Sequence, residues 1–361
     1  MIPLIVDLET DWRGGQNQAL LLLKGLYERG HPAELLAARG SALAYRAQRG
    51  GICVHTVSRG IFRLAAAAKI RSLLADGRIE LVHANEAHAV TASWLTLWRT
   101  KLPFVISRRV GYPLSKSWIA QARYRSADCI VANSQWVADQ AIASGAAPGK
   151  IRIVYEGAEI PALPTAAQRA QARKRWNVAE GAPVLGCVGV LLPDKGQEWL
   201  IRALVEVRRY FPEARLILAG DGSSRHDLEA LANQLRVSNE VIFAGFVKDV
   251  ESVYAALDVF LLPSFFEAFN NSLLAAMAYE IPSIAFSRGA LGEIIEDEKS
   301  GLLVSGPQVA EIAGAIRRVL DDPQFARSLG QAGRTRVIEH FTANHMVDGT
   351  LRVYEEVLGL C

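Results

Sequence analysis

Short apolar runs alternate with helical patterns along almost the whole chain, and the series runs twice. Runs that are apolar almost throughout, such as residues 2–8 and 184–190, are typical of strands buried on both faces of a parallel sheet. Strands that alternate with helices predict α/β units in which helices cover the sheet. The other strand candidates are residues 33–37, 52–57, 81–84, 104–107, 130–132, 151–154, 215–219, 241–244, 259–262 and 283–286.

The series is interrupted at residues 157–183, where Pro161 and Pro164 precede a polar helical stretch. We interpret this segment as a linker between two Rossmann-like, doubly wound α/β domains. Two domains suit a length of 361 residues, because a domain usually holds about 100–200 residues. The predicted domains are residues 1–160 and 161–342. The ligand site is expected at the carboxyl ends of the strands, in a cleft that both domains face.

Composition excludes several classes of protein. Half of the residues are hydrophobic and the net charge is only +3, which argues against disorder. No stretch is apolar for long enough to predict a membrane-spanning helix. The first apolar run has no basic region before it, so no signal peptide is expected. The four scattered cysteines predict neither a disulfide framework nor a zinc site, and a cytoplasmic location is the expectation.

The two predicted domains differ in charge. Residues 1–156 hold 20 Lys and Arg against 11 Asp and Glu, whereas residues 157–361 hold 20 against 26. Basic and aromatic residues interleave over residues 94–125, which predicts contact with an anionic membrane surface. A solvated face over core tryptophans is the alternative, and nucleic acid is not expected because no binding motif accompanies the segment. The residues concerned are Trp94, Trp98, Arg99, Lys101, Arg108, Arg109, Tyr112, Lys116, Trp118, Arg123 and Arg125.

Three strand-to-helix loops carry residues that suit a phosphorylated ligand. Gly14 and Gly15 follow the first strand, at the start of a predicted helix. Because glycine has no side chain, an anion can approach the backbone N–H groups of that helix start. Lys195 comes just before a helix and can bind a diphosphate as a point charge. Glu267 follows a later strand, and the asparagine pair after it caps a helix whose first N–H groups face the same loop. A plain tight turn, a surface lysine and an exposed loop glutamate are the alternatives.

Both halves of the chain resemble the retaining glycosyltransferases of the two-Rossmann (GT-B) type, in the large family 4 group. The matching segments occur in the family's order and cover nearly the whole chain. The resemblance implies an acceptor-binding first domain, a donor-binding second domain, and a C-terminal helix, residues 343–361, that crosses back onto the first. The segments are GGQNQALLLLKGLYERGH, NSQWVADQAIASGAAPGKIRIVYEG, GVLLPDKGQEWLIRAL, PEARLILAGDGSSRHDLEALA, NEVIFAGFVKDVESVYAALDVFLLPSFFEAFNNSLLAAMA and EIIEDEKSGLLV.

The resemblance also implies roles for individual residues. The Gly14-Gly15 turn is implied to lie by the donor phosphates, Lys195 to bind the diphosphate, and Glu267 to hold the donor sugar as a catalytic residue. Such enzymes typically need no metal or other cofactor, which agrees with the missing Asp-x-Asp motif, and a UDP-sugar is the favoured donor. The other implied donor-binding residues are Gly222, Phe269, Asn270, Asn271 and Ser272.

Three positions depart from the family's pattern. Ala275 stands where a second glutamate normally binds the ribose, and Val190 where an arginine often lies beside the lysine. Loss of a carboxylate on the ribose is expected to weaken donor binding by about 1–3 kcal/mol. Glu280 replaces a glycine that usually precedes the next strand, and its helical position makes it a poor substitute for the missing glutamate.

Arg109 and His88 are the catalytic candidates of the first domain. In the family a histidine often occupies about the place of Arg109 and faces the donor sugar. The Arg108-Arg109 pair can instead bind a phosphate of the donor or acceptor. His83 and His88 lie at the end of a predicted strand, and a purely structural histidine is the alternative for His88.

The resemblance therefore implies a metal-independent, retaining hexosyltransferase. It would move a sugar from a nucleotide-diphosphate donor to a glycan or lipid-linked acceptor in bacterial envelope polysaccharide or lipopolysaccharide synthesis, at the cytoplasmic face of the inner membrane. A degenerate relative that binds without turnover is the first alternative, favoured by Ala275 and Val190. A sugar-nucleotide epimerase on the same fold is a weaker one, because the loops around Lys195 and Glu267 fit transferases better.

Overall fold

The computed structural model describes residues 1–58, 62–98 and 100–360. Arg99 of the predicted basic segment and Cys361 lie outside the described residues. The chain divides into two compact units, Met1–Gly157 with Thr342–Cys361, and Ala158–Phe341. Each unit contains one parallel sheet with helices between its strands. The predicted α/β class with two doubly wound sheets is therefore confirmed.

The first unit is built on a seven-stranded sheet in which every neighbouring pair is parallel. Its strands are β1 (Pro3–Asp7), β2 (Glu34–Ala38), β3 (Cys53–Val57), β4 (Leu81–Ala84), β5 (Phe104–Arg108), β6 (Cys129–Ala132) and β7 (Ile151–Ile153). They lie in the order β3-β2-β1-β4-β5-β6-β7. The order reverses between β1 and β4, so the carboxyl ends of these two strands form the topological switch point.

The helices of the first unit connect successive strands, and one more comes from the end of the chain. They are α1 (Gly14–Glu28), α2 (Ala42–Arg49), α3 (Phe62–Leu74), α4 (Ala87–Leu97), α5 (Trp118–Arg125), α6 (Gln135–Ala143) and α15 (Ala343–Leu358). Ser134 caps α6 by accepting a hydrogen bond from the N–H of Val137, as serine commonly does at the first position of a helix.

The core of the first unit joins its sheet to α1 and α15. Leu22, Leu23 and Leu26 of α1 are fully buried and belong to the same apolar cluster as Met346, Val347 and Tyr354 of α15. A Cβ at Gly25 would lie 2.5 Å from a methyl group of Val347. The two helices therefore approach each other at a position where a larger residue would force them apart.

The second unit repeats the plan with six parallel strands. They are β8 (Val184–Val188), β9 (Arg215–Ala219), β10 (Val241–Gly245), β11 (Val259–Leu262), β12 (Ser283–Phe286) and β13 (Leu302–Val304), in the order β10-β9-β8-β11-β12-β13. This is the strand order of Rossmann sheets, with the switch point between β8 and β11. The helices are α7 (Ala166–Arg175), α8 (Gln197–Val207), α9 (Arg225–Gln234), α10 (Glu251–Tyr254), α11 (Asn271–Ala278), α12 (Leu291–Ile294), α13 (Val309–Asp321) and α14 (Pro323–His340).

Residues 157–183, which the sequence suggested as a linker, contain a helix that is packed into the second unit. Thr165 caps α7 in a full capping box. Arg169 and Arg173 of α7 both form ion pairs with Asp258, just before β11. The segment is therefore part of the folded unit. Among the described residues, no helix combines the length and the apolar character that crossing a membrane requires.

Candidate active site

The carboxyl edge of the second sheet carries the loops that hold Lys195 and Glu267. β8 and β11 are neighbours at the switch point, where doubly wound sheets usually bind their ligands. The loop after β8 ends in a 3₁₀ turn, Pro193–Lys195, directly before α8. The loop after β11 runs to the start of α11. Adjacent strands thus deliver a lysine and a glutamate to the same edge.

These two loops are packed backbone to backbone. Gly196 has a φ of 67°, and a Cβ there would lie 2.3 Å from the carbonyl oxygen of Pro263. Only glycine accommodates both the left-handed conformation and this close approach. The N–H of Phe265 also donates to the carbonyl of Asp194 at 3.0 Å. The loop that ends in Lys195 is therefore held against the loop that carries Glu267.

Lys195 and Glu267 form a partly buried ion pair. Lys195 Nζ donates to Glu267 Oε1 at 2.9 Å, and Glu267 is only 6% exposed. The backbone of Glu267 is held by the loop after β12, since its carbonyl accepts from the N–H of Ala290. A Cβ at Gly289 would come within 2.2 Å of the same carbonyl oxygen. An anion that binds Lys195 would break this ion pair. Glu267 would then accept hydrogen bonds from hydroxyl groups of a ligand, because a buried carboxylate needs polar partners.

The start of α11 borders the same loop. Asn270 caps the helix by accepting from the N–H of Leu273 at 2.8 Å, and the Tyr254 hydroxyl donates to the Ser272 carbonyl at 3.2 Å. The Phe269 ring packs edge-on against Phe341, with ring centres 5.7 Å apart. The helix start is thus fixed by its cap and by two aromatic rings. The positive end of the helix dipole at this start favours an anion.

Gly222 lies in the loop after β9. A Cβ at Gly222 would lie 2.2 Å from the carbonyl oxygen of Leu191, and one at Gly220 would lie 1.8 Å from that of Gly189. Both glycines therefore let the loop after β9 pack directly under the loop after β8. In this structure Gly222 supports the loop that leads to Lys195, and donor contact by Gly222 stays a prediction.

In the first unit, Gly14 and Gly15 form the first turn of α1 rather than a turn before it. Neither has a positive φ, and a Cβ at Gly15 would make only an ordinary contact, 3.9 Å from Arg109 Cδ. The backbone conformation does not require glycine here. The missing side chain instead leaves the helix start open, as an anion-binding helix N-terminus needs.

Behind this helix start lies a buried polar cluster around Asp7, the last residue of β1. Asn85 Nδ2 donates to Asp7 Oδ2 at 2.6 Å, and Gln16 Nε2 donates to the same oxygen at 3.0 Å. Burial raises the pKa of Asp7, while the hydrogen bonds from Asn85 and Gln16 lower it. The cluster links the carboxyl ends of β1 and β4 to the first turns of α1.

Arg109 extends this cluster towards the last strand of the sheet. Its guanidinium donates to the backbone and side-chain oxygens of Asn85, and its Nε lies 3.3 Å from Glu156 Oε1. Asn133 Nδ2 donates to the same Glu156 oxygen at 3.0 Å. Burial lowers the pKa of Arg109, against the opposing effect of Glu156 and Asp7. Arg109 therefore lies inside the first unit as the cation of a buried network.

His83 is a structural histidine. Its Nδ1 lies 2.6 Å from the hydroxyl of Tyr354 in α15, and its Nε2 lies 2.7 Å from the Ser107 hydroxyl. Burial, together with the charge of Arg109, lowers the pKa of His83 to about 3. The ring is therefore neutral at ordinary pH, and it ties β4 and β5 to the C-terminal helix.

His88 lies in the first turn of α4, at the carboxyl edge of the first sheet. Its Nδ1 accepts from Arg63 at 2.7 and 3.1 Å, so its proton sits on Nε2, 3.8 Å from Glu9 Oε1. Glu86 caps α4 through the N–H groups of His88 and Ala89. Burial raises the pKa of Glu86 to about 7, although these backbone hydrogen bonds oppose the shift. His88 is half exposed, and its contacts with Arg63 and Glu9 orient the ring.

Two family models match the chain, one in each unit. The model for Glycosyltransferase Family 4 matches residues 12–160, and the model for Glycosyl transferases group 1 matches residues 168–336. The chain belongs to the family 4 glycosyltransferases of the GT-B type. The family resemblance inferred from the sequence motifs is thereby confirmed.

Two curated relatives illustrate the family. The 2-deoxystreptamine glucosyltransferase of Streptomyces kanamyceticus is 30% identical over 257 residues, which are 70% of this chain and 66% of the relative. A GDP-mannose-dependent alpha-(1-6)-phosphatidylinositol monomannoside mannosyltransferase of Mycolicibacterium smegmatis is 32% identical over 182 residues, which are 48% of this chain and 47% of the relative. The matches thus span somewhat less than two thirds of the first relative and about half of the second.

Solved structures share the fold over the full length. Anabaena HepE, crystallised in complex with UDP and glucose, superimposes with a TM-score of 0.85 at 22% identity, covering 98% of this chain and 99% of HepE. At this identity the likeness shows the fold alone.

The three residues that depart from the family pattern lie in different parts of the second unit. Val190 is 46% exposed in the loop after β8, and Ala275 lies half-buried in α11. Glu280 has a φ of 58°, the conformation that explains why glycine is usual there. Its carboxylate lies 3.8 Å from Arg334, just before the amino end of β12. Glu280 therefore lies at the opposite edge of the sheet from Glu267 and does not replace the missing glutamate.

The basic and aromatic segment of residues 94–125 faces two ways. Arg108 is 4% exposed and donates to the Tyr124 hydroxyl and the Tyr112 carbonyl. Tyr112 and Trp118, by contrast, are 68% and 75% exposed, and Lys116 between them is exposed as well. The arginine pair thus points inward, whereas the loop before α5 and the first residue of α5 form the outer face.

The sequence did not reveal the buried polar cluster as a unit. Asp7 ends an apolar strand, and Gln16, Asn85 and Glu156 are buried at the same edge. A carboxylate at the end of a buried strand is a usable signal, because such a group requires polar partners. The partners come from segments up to 149 residues away in sequence, so pattern alone could not join them.

Proposed function

We propose that this protein is a retaining hexosyltransferase that uses a nucleotide-diphosphate sugar, with a UDP-sugar as the favoured donor. The observation that carries the proposal is the Lys195–Glu267 pair at the switch point of the second sheet. The glucosyltransferase and mannosyltransferase relatives and the UDP bound to Anabaena HepE support a donor of this chemical class.

In the proposed mechanism, the donor diphosphate displaces Glu267 from Lys195. The lysine and the first N–H groups of α11 then stabilise the charge that develops on the leaving group, without a metal. Glu267, released from its ion pair, accepts hydrogen bonds from sugar hydroxyls and orients the ring. Departure of the diphosphate breaks its bond to the sugar and leaves an oxocarbenium-like centre. The acceptor hydroxyl attacks from the same face and gives its proton to the departing diphosphate oxygen, so the anomeric configuration is retained.

The first unit is proposed to bind the acceptor. The open start of α1 at Gly14 and Gly15 suits an anionic group of the substrates. Arg109 holds the polar cluster at the same edge in place. Half-exposed His88 is the side chain of this unit proposed to contact the groups that react. A glycan or lipid-linked acceptor of bacterial envelope polysaccharide or lipopolysaccharide synthesis fits the basic charge of this unit.

Nucleotide binding is the first test of the proposal. A ligand that binds only the folded state at a hundredfold excess over its Kd stabilises by about 2.7 kcal/mol, and each kcal/mol raises Tm by about 2–4 °C in a unit of this size. We expect UDP or a UDP-sugar to raise Tm by several degrees in a panel with GDP and ADP compounds. The Lys195→Ala variant is expected to lose the shift.

Lys174→Ala is the matched control, because Lys174 is exposed on α7 at the other edge of the second sheet, and it is expected to keep the full shift. If no nucleotide shifts Tm, the donor site is not functional and the proposal fails. If a nucleotide shifts Tm but no sugar is transferred to any acceptor, the degenerate binding protein that Ala275 and Val190 favour becomes the better account.

We further propose that the outer face of residues 94–125 contacts an anionic membrane, which places the enzyme at the cytoplasmic face of the inner membrane. Val110, Tyr112, Trp118 and Ile119 expose 42–75% of their surface, with exposed Lys116 among them. Aromatic rings beside basic groups suit the headgroup region of a bilayer. We expect the triple variant Tyr112→Ser, Lys116→Glu, Trp118→Ser to sediment with anionic liposomes at least about tenfold less than the unmodified protein.

The control for this experiment is Lys24→Glu with Tyr27→Ser on α1, where both side chains are also exposed. That variant is expected to bind liposomes like the unmodified protein. Equal binding of the triple variant would remove the membrane proposal and leave sugar transfer untouched.

A further inference from the structure

Three side chains with different metal-binding groups meet at the amino edge of the first sheet. Glu34 and Cys53 are the first residues of β2 and β3, and they lie side by side in the parallel register. His55 follows two residues after Cys53, so it projects from the same face of β3. His55 Nε2 lies 2.7 Å from Glu34 Oε2 and 3.7 Å from Cys53 Sγ.

The carboxylate of this cluster is held in position from behind. Arg78 donates to Glu34 Oε1 at 2.7 Å, which leaves Oε2 directed at His55. The Glu34 side chain is only 5% exposed, whereas Cys53 is exposed. One ligand atom from each of Glu34, Cys53 and His55 lies within 4.8 Å of the others. The cluster is therefore preorganised on its inner side and open to solvent on its outer side.

A thiolate, an imidazole and a carboxylate together form a ligand set that selects a borderline transition metal. Zn²⁺ binds all three groups at about 2.0–2.3 Å, and ligand atoms at those distances in tetrahedral geometry lie between about 3 and 4 Å apart. Calcium and magnesium prefer oxygen ligands, which a cysteine does not supply. A hydrogen-bonded outer carboxylate oxygen, here held by Arg78, is a common feature of metal sites.

We propose that Glu34, Cys53 and His55 bind a Zn²⁺ ion, with the fourth coordination position open to solvent. The site lies at the amino edge of β2 and β3, whereas the polar cluster around Asp7 lies at the carboxyl edge of the same sheet. The ion would therefore tie the edge strand β3 to β2 and take no part in sugar transfer. The sequence predicted no zinc site, because a single Cys-x-His pair becomes informative only when the register brings Glu34 beside it.

Cobalt provides a direct test, because Co²⁺ replaces Zn²⁺ and shows a near-ultraviolet charge-transfer band when a thiolate binds it. We expect the reduced protein to show this band at one equivalent of Co²⁺, and Zn²⁺ to abolish it by competition. Cys53→Ser is expected to remove the band, and His55→Gln to lower the affinity for Zn²⁺, measured against a chromophoric chelator, by about tenfold or more.

His226→Gln is the control, since His226 is 93% exposed and pairs only loosely with Asp227; it is expected to bind both metals like the unmodified protein. Circular dichroism of each variant establishes that it is folded, and exposed Cys53 tolerates serine without loss of core packing. No band in the unmodified protein, a band that survives Cys53→Ser, or an unchanged affinity in His55→Gln would each overturn the proposal. Transfer activity is not part of the readout, so the outcome does not depend on the proposed function.

Discussion

Replacing Glu267 by alanine is expected to abolish sugar transfer, with a loss of at least about 10²–10³-fold. The carboxylate is buried, and the backbone of Glu267 is held by its close packing on Gly289 and by the N–H of Ala290. Removing it also releases Lys195 from its ion pair, and the lysine stays available to a diphosphate. The variant is therefore expected to keep the thermal shift caused by UDP while transfer is lost. Initial rates and nucleotide-dependent Tm values, measured on the same preparation, check this.

The matched control is Glu213→Ala, because Glu213 is an exposed glutamate of the same unit. Its rate is expected to stay within about twofold of the unmodified protein, as for most surface substitutions. Glu267→Gln keeps the shape of the side chain and tests whether the charge itself is needed. A Glu267→Ala enzyme with an unchanged rate would exclude the proposed role of this residue.

Replacing Arg109 by alanine is expected to destabilise the first unit by about 3–5 kcal/mol, because the change removes the cation from a buried network that contains the Glu156 carboxylate. Glu156 would lose the cation 3.3 Å away, and Asn85 would lose a donor on each of its oxygens. The measurement is the free energy of unfolding in urea, with hydrogen-exchange mass spectrometry to assign the transition to the first unit.

Arg125→Ala is the control here, since Arg125 is an exposed arginine of the same segment, and a change within about 0.5 kcal/mol is expected. The double variant Arg109→Ala, Glu156→Gln removes both charges and is expected to recover part of the lost stability. If Arg109→Ala is as stable as the Arg125 control but inactive, Arg109 acts on substrate instead, as the family comparison suggested for this position.

The alternation of apolar runs was enough to predict the strands. All of the runs that the sequence offered as strands, from residues 2–8 to 283–286, correspond to strands within two residues. β13, which has only three residues, was not among the predicted strands. The order of the strands could not be predicted from the apolar pattern, because it depends on which segments, distant in sequence, pair with each other.

Site residues that lie in one recognisable loop could be predicted from the sequence. Contacts between segments that are far apart in the sequence could not. Lys195 and Glu267 each stood in a recognisable loop, although their contact joins residues 72 positions apart. The inward direction of Arg108 and Arg109 was not visible, because basic residues next to aromatic ones suit a surface as well as a buried network. The Glu34–Cys53–His55 cluster likewise required the parallel register of β2 and β3.

The C-terminal helix α15 has a consequence for how the chain is made. Its residues Met346, Val347 and Tyr354 complete the core of the first unit, yet a ribosome adds them after the whole of the second unit. Until α15 has been synthesised, the first unit lacks these apolar side chains beside α1, and His83 lacks the Tyr354 hydroxyl. During that interval the uncovered apolar surface makes the nascent first unit prone to aggregation. A chain truncated just before Thr342 would contain the whole second unit and a first unit whose apolar core stays exposed.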